Sequence, residues 1–412
     1  MNKTLRRDKL VPCDMKLLGV VLALVIVGVL LVFDSSFARA GDHLGNPSFY
    51  ASKQLLYAAG GVLAMLLAAQ LPMVWLKRHA ANIMWVAAAM LVIVLVIGST
   101  VNGAKSYLKY FGMCFQPSEA AKIALIIFLA ATLSAEKIFA RRAPKFWKKP
   151  LWIAGAIVAL VVAQKDLGTA GILVITVYVI YYCAGAKNRA MIPAALVGIV
   201  LAATVMLALP HSRDRIVGWL HPYETRLKQG YQVTQTLIGY GTGGLTGIGL
   251  CEGRVKTYIP ASHNDYIVTT LAEESGLAGV ALLMGAFFYF SLRGFDLAAR
   301  CKSRFTSLLA AGITSCITAQ ALVNIAVTTN LIPSTGLPLP LISYGGSSLV
   351  TTLIGIGILL SVSRHVNVEM EESYTLESTH HGRRDRRPHI PRDKRRSSSR
   401  PPVYGYGPPV RR

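Results

Sequence analysis

Charge is scarce in this 412-residue chain. Asp, Glu, Lys and Arg make up 15% of it while 53% is hydrophobic, against the roughly 25% charge usual in soluble domains. That balance excludes a soluble globular fold and makes a bilayer the natural solvent. Acidic residues are scarcer still, 20 against 43 Lys and Arg, for a formal net charge of +23. Such an excess fits either nucleic acid or membrane topology. Nearly all of it falls between apolar runs and in the C-terminal tail, so topology accounts for it and no nucleic-acid partner is assigned. The six cysteines, at 13, 114, 183, 251, 301 and 316, form no CxxC pair and no metal-ligand spacing; they read as free thiols packed as small apolar side chains. A disulfide between Cys114 and Cys251, both expected on the outer side, stays open. The chain has no Gly-x-x-x-x-Gly-Lys loop, so nucleotide-driven chemistry is not indicated.

Apolar runs long enough to cross a bilayer are abundant. They lie near 17–33, 54–71, 82–98, 116–134, 151–164, 168–184, 190–209, 266–291, 305–330 and 346–363, which predicts an all-α polytopic membrane protein of about ten helices. The first run follows Lys3, Arg6, Arg7 and Lys9 as a secretory signal would, but its length and the many runs after it make it a first transmembrane helix. The fifth and sixth runs, separated by Gln164, Lys165 and Asp166, also suit a re-entrant pair. Lys and Arg crowd alternate loops, which predicts cytoplasmic termini and an outer-face loop, 210–265, between helices 7 and 8. Three parts follow: a cytoplasmic segment 1–16, a membrane domain 17–365, and a disordered basic tail 366–412. The tail arginines would attract anionic lipid at roughly 1 kcal/mol each.

Between the seventh and eighth runs the sequence becomes glycine-rich and polar, QGYQVTQTLIGYGTGGLTGIGLCEGRVKTYIPASHNDYIVTTLAEESGLAG over 229–279. Its glycines predict a compact irregular loop rather than a long helix. Past Pro260, Ser262 or Asn264 can cap a helix that starts near Tyr266, with Asp265 at its mouth. Asp265 then reads either as a first-turn acid that offsets the helix dipole or as a functional carboxylate. His263, Asn264, Arg254 and Lys256 precede it, and Glu273 and Glu274 follow within the same apolar helix; an intramembrane acid is by default a functional hypothesis.

The run GYQ, then GTGGLTGIGL, Lys256, IPASHNDYI and LAEESG resembles the SEDS family (shape, elongation, division, sporulation; FtsW, RodA and SpoVE), and its FtsW branch most closely. The resemblance covers about residues 15 to 365. It implies a bacterial inner-membrane glycosyltransferase that polymerises peptidoglycan from lipid II, with the family's catalytic aspartate on Asp265. It also implies a class B penicillin-binding protein and other division proteins as partners. NGAKSYLKYFGMCFQPSEAAK resembles the family's stretch before the fourth helix, with Lys105 and Tyr107 where Arg and Trp are usual. QKDLGT carries Lys165 in place of a common proline, and Ala261 stands where glutamate is frequent. NLIPSTGLPLPLISYGGSSL resembles the family's last outer loop.

Read from the residues alone, Glu119 and Lys122 share a helix face in the membrane, as a neutralised pair or as the lining of a polar cavity. Asp166 is a substrate-side acid or the N-cap of the sixth helix. Pro333, Pro338 and Pro340 forbid a continuous helix, and broken backbone at membrane depth must be buried or line a wet cavity. Ser343, Tyr344, Ser347 and Ser348 then bind sugar or pyrophosphate, or satisfy that broken backbone. Residues 210–229, basic and aromatic, read as a surface helix or a partner-binding loop. For polymerisation, Asp265 is the general base. Lys105, Arg254 and Lys256 are the donors available to a departing pyrophosphate, which needs positive charge or a divalent cation; no metal set is assigned. His263 completes the expected substrate-side set. A lipid II flippase suits the intramembrane acids and broken helices, although no internal repeat is evident. A non-catalytic scaffold suits the tail.

Overall fold

A computed structural model describes residues 13–101, 104–110, 113–135, 144–186, 210–260 and 262–384, with scattered positions between 189 and 208. Residues up to Val368 cluster as one compact unit and Glu369–Arg412 as a second, of which 369–384 is helical. The helix thus runs past the boundary expected at 366, and the basic run and the proline-rich end lie outside the described residues.

Helices dominate, as the composition requires. Six of those described are long and apolar enough to cross a membrane: Met15–Phe37, Phe49–Ala68, Met73–Ile97, Ile267–Arg300, Arg304–Thr328 and Gly346–Asn367. Three other expected crossings fall on the helices Pro117–Leu133, Pro144–Ala163 and Leu167–Cys183. The remaining one, 190–209, is described only in part. We number the helices α1 (Met15–Leu44), α2 (Phe49–Ala68), α3 (Met73–Ile97), α4 (Pro117–Leu133), α5 (Pro144–Ala163), α6 (Leu167–Cys183), α7 (Pro210–Leu220), α8 (Tyr231–Gly243), α9 (Val255–Tyr258), α10 (Ile267–Arg300) and α11 (Arg304–Thr328).

Burial separates centre from periphery. The apolar windows of α11 and of the Gly346–Asn367 helix are 78% buried, against 28% for α3; only a helix hydrophobic all round can bury itself among neighbours and still be apolar where it meets lipid. α11 packs against α10, α6 and α4. One departure from an all-helical fold is a small antiparallel sheet, Ser99–Val101, Ala104–Tyr110 and Met113–Phe115, with Leu108 opposite Phe115. It lies between α3 and α4 and carries Lys105 and Tyr107.

The glycine-rich region is less irregular than its composition predicts. Tyr231–Gly243 is helical, because Val233, Thr234 and Thr236 bury one face against α10; tertiary packing overrides propensity here. The irregular part begins at Gly244 and enters a break in α10. Gly276 has φ 64° and ψ −161° inside that helix, which frees backbone groups on both sides of it. The loop takes them up: Ile248 and Gly249 N–H donate to the carbonyls of Glu273 and Glu274, and Leu277 and Ala278 N–H donate to Gly244 and Leu245. A Cβ on Gly276 would stand 2.4 Å from Gly247 N, so only glycine lets loop and helix approach this closely. Every freed backbone group must find a partner inside protein at this depth, and the loop supplies four.

Candidate active site

Residues 262–266 are pinned from several directions. Ser262 Oγ donates 3.1 Å to the Ser35 carbonyl of α1 and 3.0 Å to that of Lys256. The His263 carbonyl accepts from Tyr344 N–H at 2.9 Å, and its buried ring packs against Tyr50 and Tyr344 at 4.6 and 5.5 Å. Burial, then the charge of Arg39, lowers the His263 imidazole to about 4, so it stays neutral across the physiological range. Asn324 of α11 donates through Nδ2 to the Asp265 carbonyl at 2.9 Å and to the Leu337 carbonyl at 2.8 Å, locking the aspartate's backbone to the proline-rich segment. Tyr266 is buried with Val255, Ile259 and Val327; burial, with the Asp265 charge, pushes its phenol up to about 12, against a hydrogen bond to Ser334. Neither Ser262 nor Asn264 caps α10, whose N-cap is Tyr266 without a side-chain cap bond. Ser262 is committed to α1, which is why the expected cap fails.

The Asp265 carboxylate is the free group of this segment. Among the described residues no donor bonds it, and it opens only in part to solvent. Burial pushes its carboxyl up to about 6, with the Arg215 guanidinium pulling the other way. A Cβ built on Gly336, which has φ +72°, would lie 3.7 Å from both terminal nitrogens of Arg215 and 3.8 Å from Asp265 Oδ2. Arg215 is held by Nη1 donating 3.1 Å to the Ser334 carbonyl, and Trp219, one turn on, donates 2.9 Å to the Asn330 carbonyl. The basic α7 is thereby clamped along the proline-rich segment. Burial, then the charges of Asp166, Asp265 and Glu119, raises the phenol of Tyr107, which the β-sheet carries. A carboxylate with weakened hydration and a pKa nearer neutrality is a stronger proton acceptor than an ordinary aspartate.

The other expected residues divide by what they already bond. Glu119 and Lys122 pair at 2.9 Å, 2% and 4% exposed; Lys122 Nζ also donates 2.5 Å to Gln320 Oε1, whose Nε2 donates 2.9 Å to the Pro338 carbonyl. That pair therefore props the broken backbone beneath Asp265 through α11. Asp166 accepts from Gln116 Nε2 at 2.9 Å, Ser118 Oγ at 3.1 Å and Thr169 N–H at 3.1 Å, so it is the N-cap of α6 and a tie to α4. Lys165 is exposed and, among the described residues, makes no ion pair with Asp166; its φ of 63° is one that proline, fixed near −65°, does not adopt. Ser343 Oγ accepts from Leu339 N–H at 2.9 Å, and Ser347 Oγ from Gln116 N–H at 3.3 Å. These two hydroxyls satisfy broken backbone, while Tyr344 lies in the Tyr50 and His263 cluster.

The cations expected near a pyrophosphate are dispersed. Lys256 Nζ is bound by Asp34 at 2.5 Å and Glu274 at 2.6 Å. Lys105 Nζ donates to the Val96 carbonyl at 2.8 Å. Arg254 has an exposed side chain while its backbone N–H donates 3.0 Å to Glu273 Oε1. Glu273 also accepts from Val255 N–H, and Glu274 from Cys251 and Gly253 N–H, so both glutamates fasten the loop. Cys114 and Cys251 are free and exposed, and no disulfide joins them. Among the described residues no group of three or more His, Cys, Asp or Glu gathers as metal ligands would. The residues that sequence reading did not assign to the site are Asn324 and Gln320, single polar side chains in an apolar helix, Gln116, just before α4, and Arg215, one arginine among several in a basic stretch. The signal for the first two was an amide in an apolar helix, which must find a partner once buried.

Fold and site define a multi-pass membrane protein with an aspartate of raised pKa, unpaired among the described residues, at the mouth of a broken helix. A family model described as a cell cycle protein, FtsW/RodA/SpoVE, matches residues 15–368, and the chain belongs to that family. It is 34% identical to stage V sporulation protein E of Bacillus subtilis, over 85% of this chain and 97% of that protein. Identity to a probable peptidoglycan glycosyltransferase FtsW of Geobacter sulfurreducens is 31%, over 88% and 98%. Among solved structures it is similar to a chain from work described as structural coordination of polymerization and crosslinking by a peptidoglycan synthase complex, at a TM-score of 0.71 and 29% identity over 86% and 98%. The rod shape determining protein RodA of Thermus thermophilus gives 0.64 and 27% over 85% and 97%.

Proposed function

We infer that this chain is a peptidoglycan glycosyltransferase that polymerises lipid II into glycan strands at the outer face of the bacterial inner membrane during cell division, with Asp265 as general base. The observation that carries the reading is the Asp265 carboxylate. It is held by backbone and neighbours on all sides of its own segment, yet among the described residues its oxygens are left without a donor and its pKa is raised to about 6. In the reaction the acceptor sugar's hydroxyl gives its proton to Asp265 as its oxygen bonds the donor's anomeric carbon. The bond from that carbon to the lipid pyrophosphate breaks, and the pyrophosphate leaves with the electron pair. Arg254, exposed at the rim, is the cation of the expected set still able to meet it; Lys105 and Lys256 first satisfy protein groups. Both termini then face the cytoplasm, and a class B penicillin-binding protein crosslinks the product, as suits a chain similar to part of a peptidoglycan synthase complex.

Transport is supported less well, because Glu273 and Glu274, the acids that suit it, are occupied by loop N–H groups and Lys256. The test is Asp265→Asn in purified protein supplied with labelled lipid II. The asparagine keeps size but takes no proton, and polymer should fall by about 100- to 10,000-fold at unchanged protein yield. Polymerisation near the parent rate would reject the base assignment; exchange of lipid between leaflets without polymer would favour a flippase.

A further inference from the structure

We propose that Arg215 is a positioning residue for the proton acceptor: it holds Asp265 in its ionised form from a fixed, non-contact distance. This rests on the reading of Asp265 as general base. Three observations on geometry carry it. First, Arg215 and Asp265 both border Gly336, each within 3.8 Å of the point where a side chain would begin there, and among the described residues they do not close into an ion pair. Second, the guanidinium is anchored beside the carboxylate: Nη1 donates to the Ser334 carbonyl, and the helix carrying it is tied at Trp219 to the Asn330 carbonyl. Third, the backbone that carries the carboxylate is held in place, because Asn324 Nδ2 donates to the Asp265 carbonyl. The positive charge is therefore close enough to favour the anion while leaving its lone pairs unoccupied in this arrangement. A contact ion pair would do the reverse, masking the oxygens that must take a proton.

Other groups facing the aspartate do not replace this one. Tyr107 from the sheet and Tyr266 next in the chain both have phenols raised by burial and so are neutral near pH 7. Asp166, which faces Tyr107 from the turn before α6, is bonded to Gln116, Ser118 and Thr169. Lys105 is turned to the Val96 carbonyl and Lys256 to Asp34 and Glu274. Among the described residues, Arg215 is the cation whose charge offsets the effect of burial on Asp265. Glycine at 336 keeps the space beside the two open.

The test is the pH profile of lipid II polymerisation for the parent, Arg215→Gln, Arg215→Lys and Asp265→Asn proteins, from about pH 5 to about pH 9. Removing the cation should move the acid limb up by about one pH unit. The Gln variant then loses roughly 5-fold at about pH 6, where the parent is half ionised, and comes back to near the parent rate at about pH 9. Arg215→Lys keeps the charge without the forked anchor, and its limb should fall between the two. A uniform loss with the limb unmoved would overturn the proposal, as would a Lys limb that coincides with that of Gln. Melting temperatures confirm that each variant is folded, and the Lys variant carries the test if Gln does not fold. The Asp265→Asn protein separates the two levels. Near-parent polymerisation by it defeats the base reading itself, whereas an inactive Asn variant with an unmoved Arg215→Gln limb defeats this inference alone.

Discussion

Two sets of carboxylates stand on one helix and its approach, and they are treated in opposite ways. Glu273 and Glu274, in the first turns of α10, accept from the N–H groups of Arg254, Val255, Cys251 and Gly253, and Glu274 takes the Lys256 ammonium as well. Asp265, two residues before that helix, has its carbonyl bonded, and among the described residues its carboxylate is left without a donor. Satisfied acids fasten the loop; the unsatisfied one is available for chemistry. Proximity to the membrane, the feature that singles out all three in the sequence, does not discriminate between them. Donor accounting does, since a buried charge is retained at a cost unless it is paired.

The contrast can be broken or sharpened by substitution. The largest expected effect is Asp265→Asn, with polymerisation down by about 100- to 10,000-fold and melting temperature nearly unchanged; a large stability loss with activity per folded molecule intact would place Asp265 with the fasteners. Next comes Lys122→Met, which leaves Glu119 buried and unpaired at a cost of about 3 to 5 kcal/mol. Adding Glu119→Gln should restore part of it, and simple addition of the two losses in a double-mutant cycle would show the pair to be uncoupled.

Glu274→Gln, by comparison, should cost roughly 1 to 3 kcal/mol and speed proteolysis within 244–256 while any surviving folded protein keeps the parent pH profile. A shifted profile would move Glu274 to the chemical side of the comparison. The parent profile itself supplies a smaller effect. A base with a pKa of about 6 is ionised above that value and protonated below it, so the rate should rise through about pH 6 and level off above about pH 7. A rate that keeps falling toward alkaline pH would contradict the sign. Arg254→Gln, at the exposed rim, should change stability by less than about 0.5 kcal/mol and act on the Michaelis constant for lipid II more than on turnover.

Much of the fold was legible because bilayer chemistry is simple. Long apolar runs must be helices when no water can satisfy the backbone, and the described crossings fall on those runs. Tyr231–Gly243 was misread as loop because glycine counts against a helix locally, whereas Val233, Thr234 and Thr236 gain a buried face only once α10 is in place. The pairing of Asp34 with Lys256 was illegible for the same kind of reason: the two are far apart along the chain and meet only in the fold.

At the site, the sequence by itself singled out the acid proposed here as the base and its approximate place in the chain. An aspartate with cations before it and an apolar helix after it is a local pattern, and local patterns survive without coordinates. It also determined that the segment with Pro333, Pro338 and Pro340 could not be helical, because proline removes the donor and fixes φ wherever it occurs. Only the tertiary structure decided which cations were spoken for. Lys105 and Lys256 are consumed by a carbonyl and by two carboxylates, and Arg215, unremarkable in its stretch, comes to border Gly336 as Asp265 does. The physical reason is that electrostatic coupling depends on distance and burial. Both are set by how α7, α10, α11 and the proline-rich segment pack, and none of that is written in the spacing of residues along the chain.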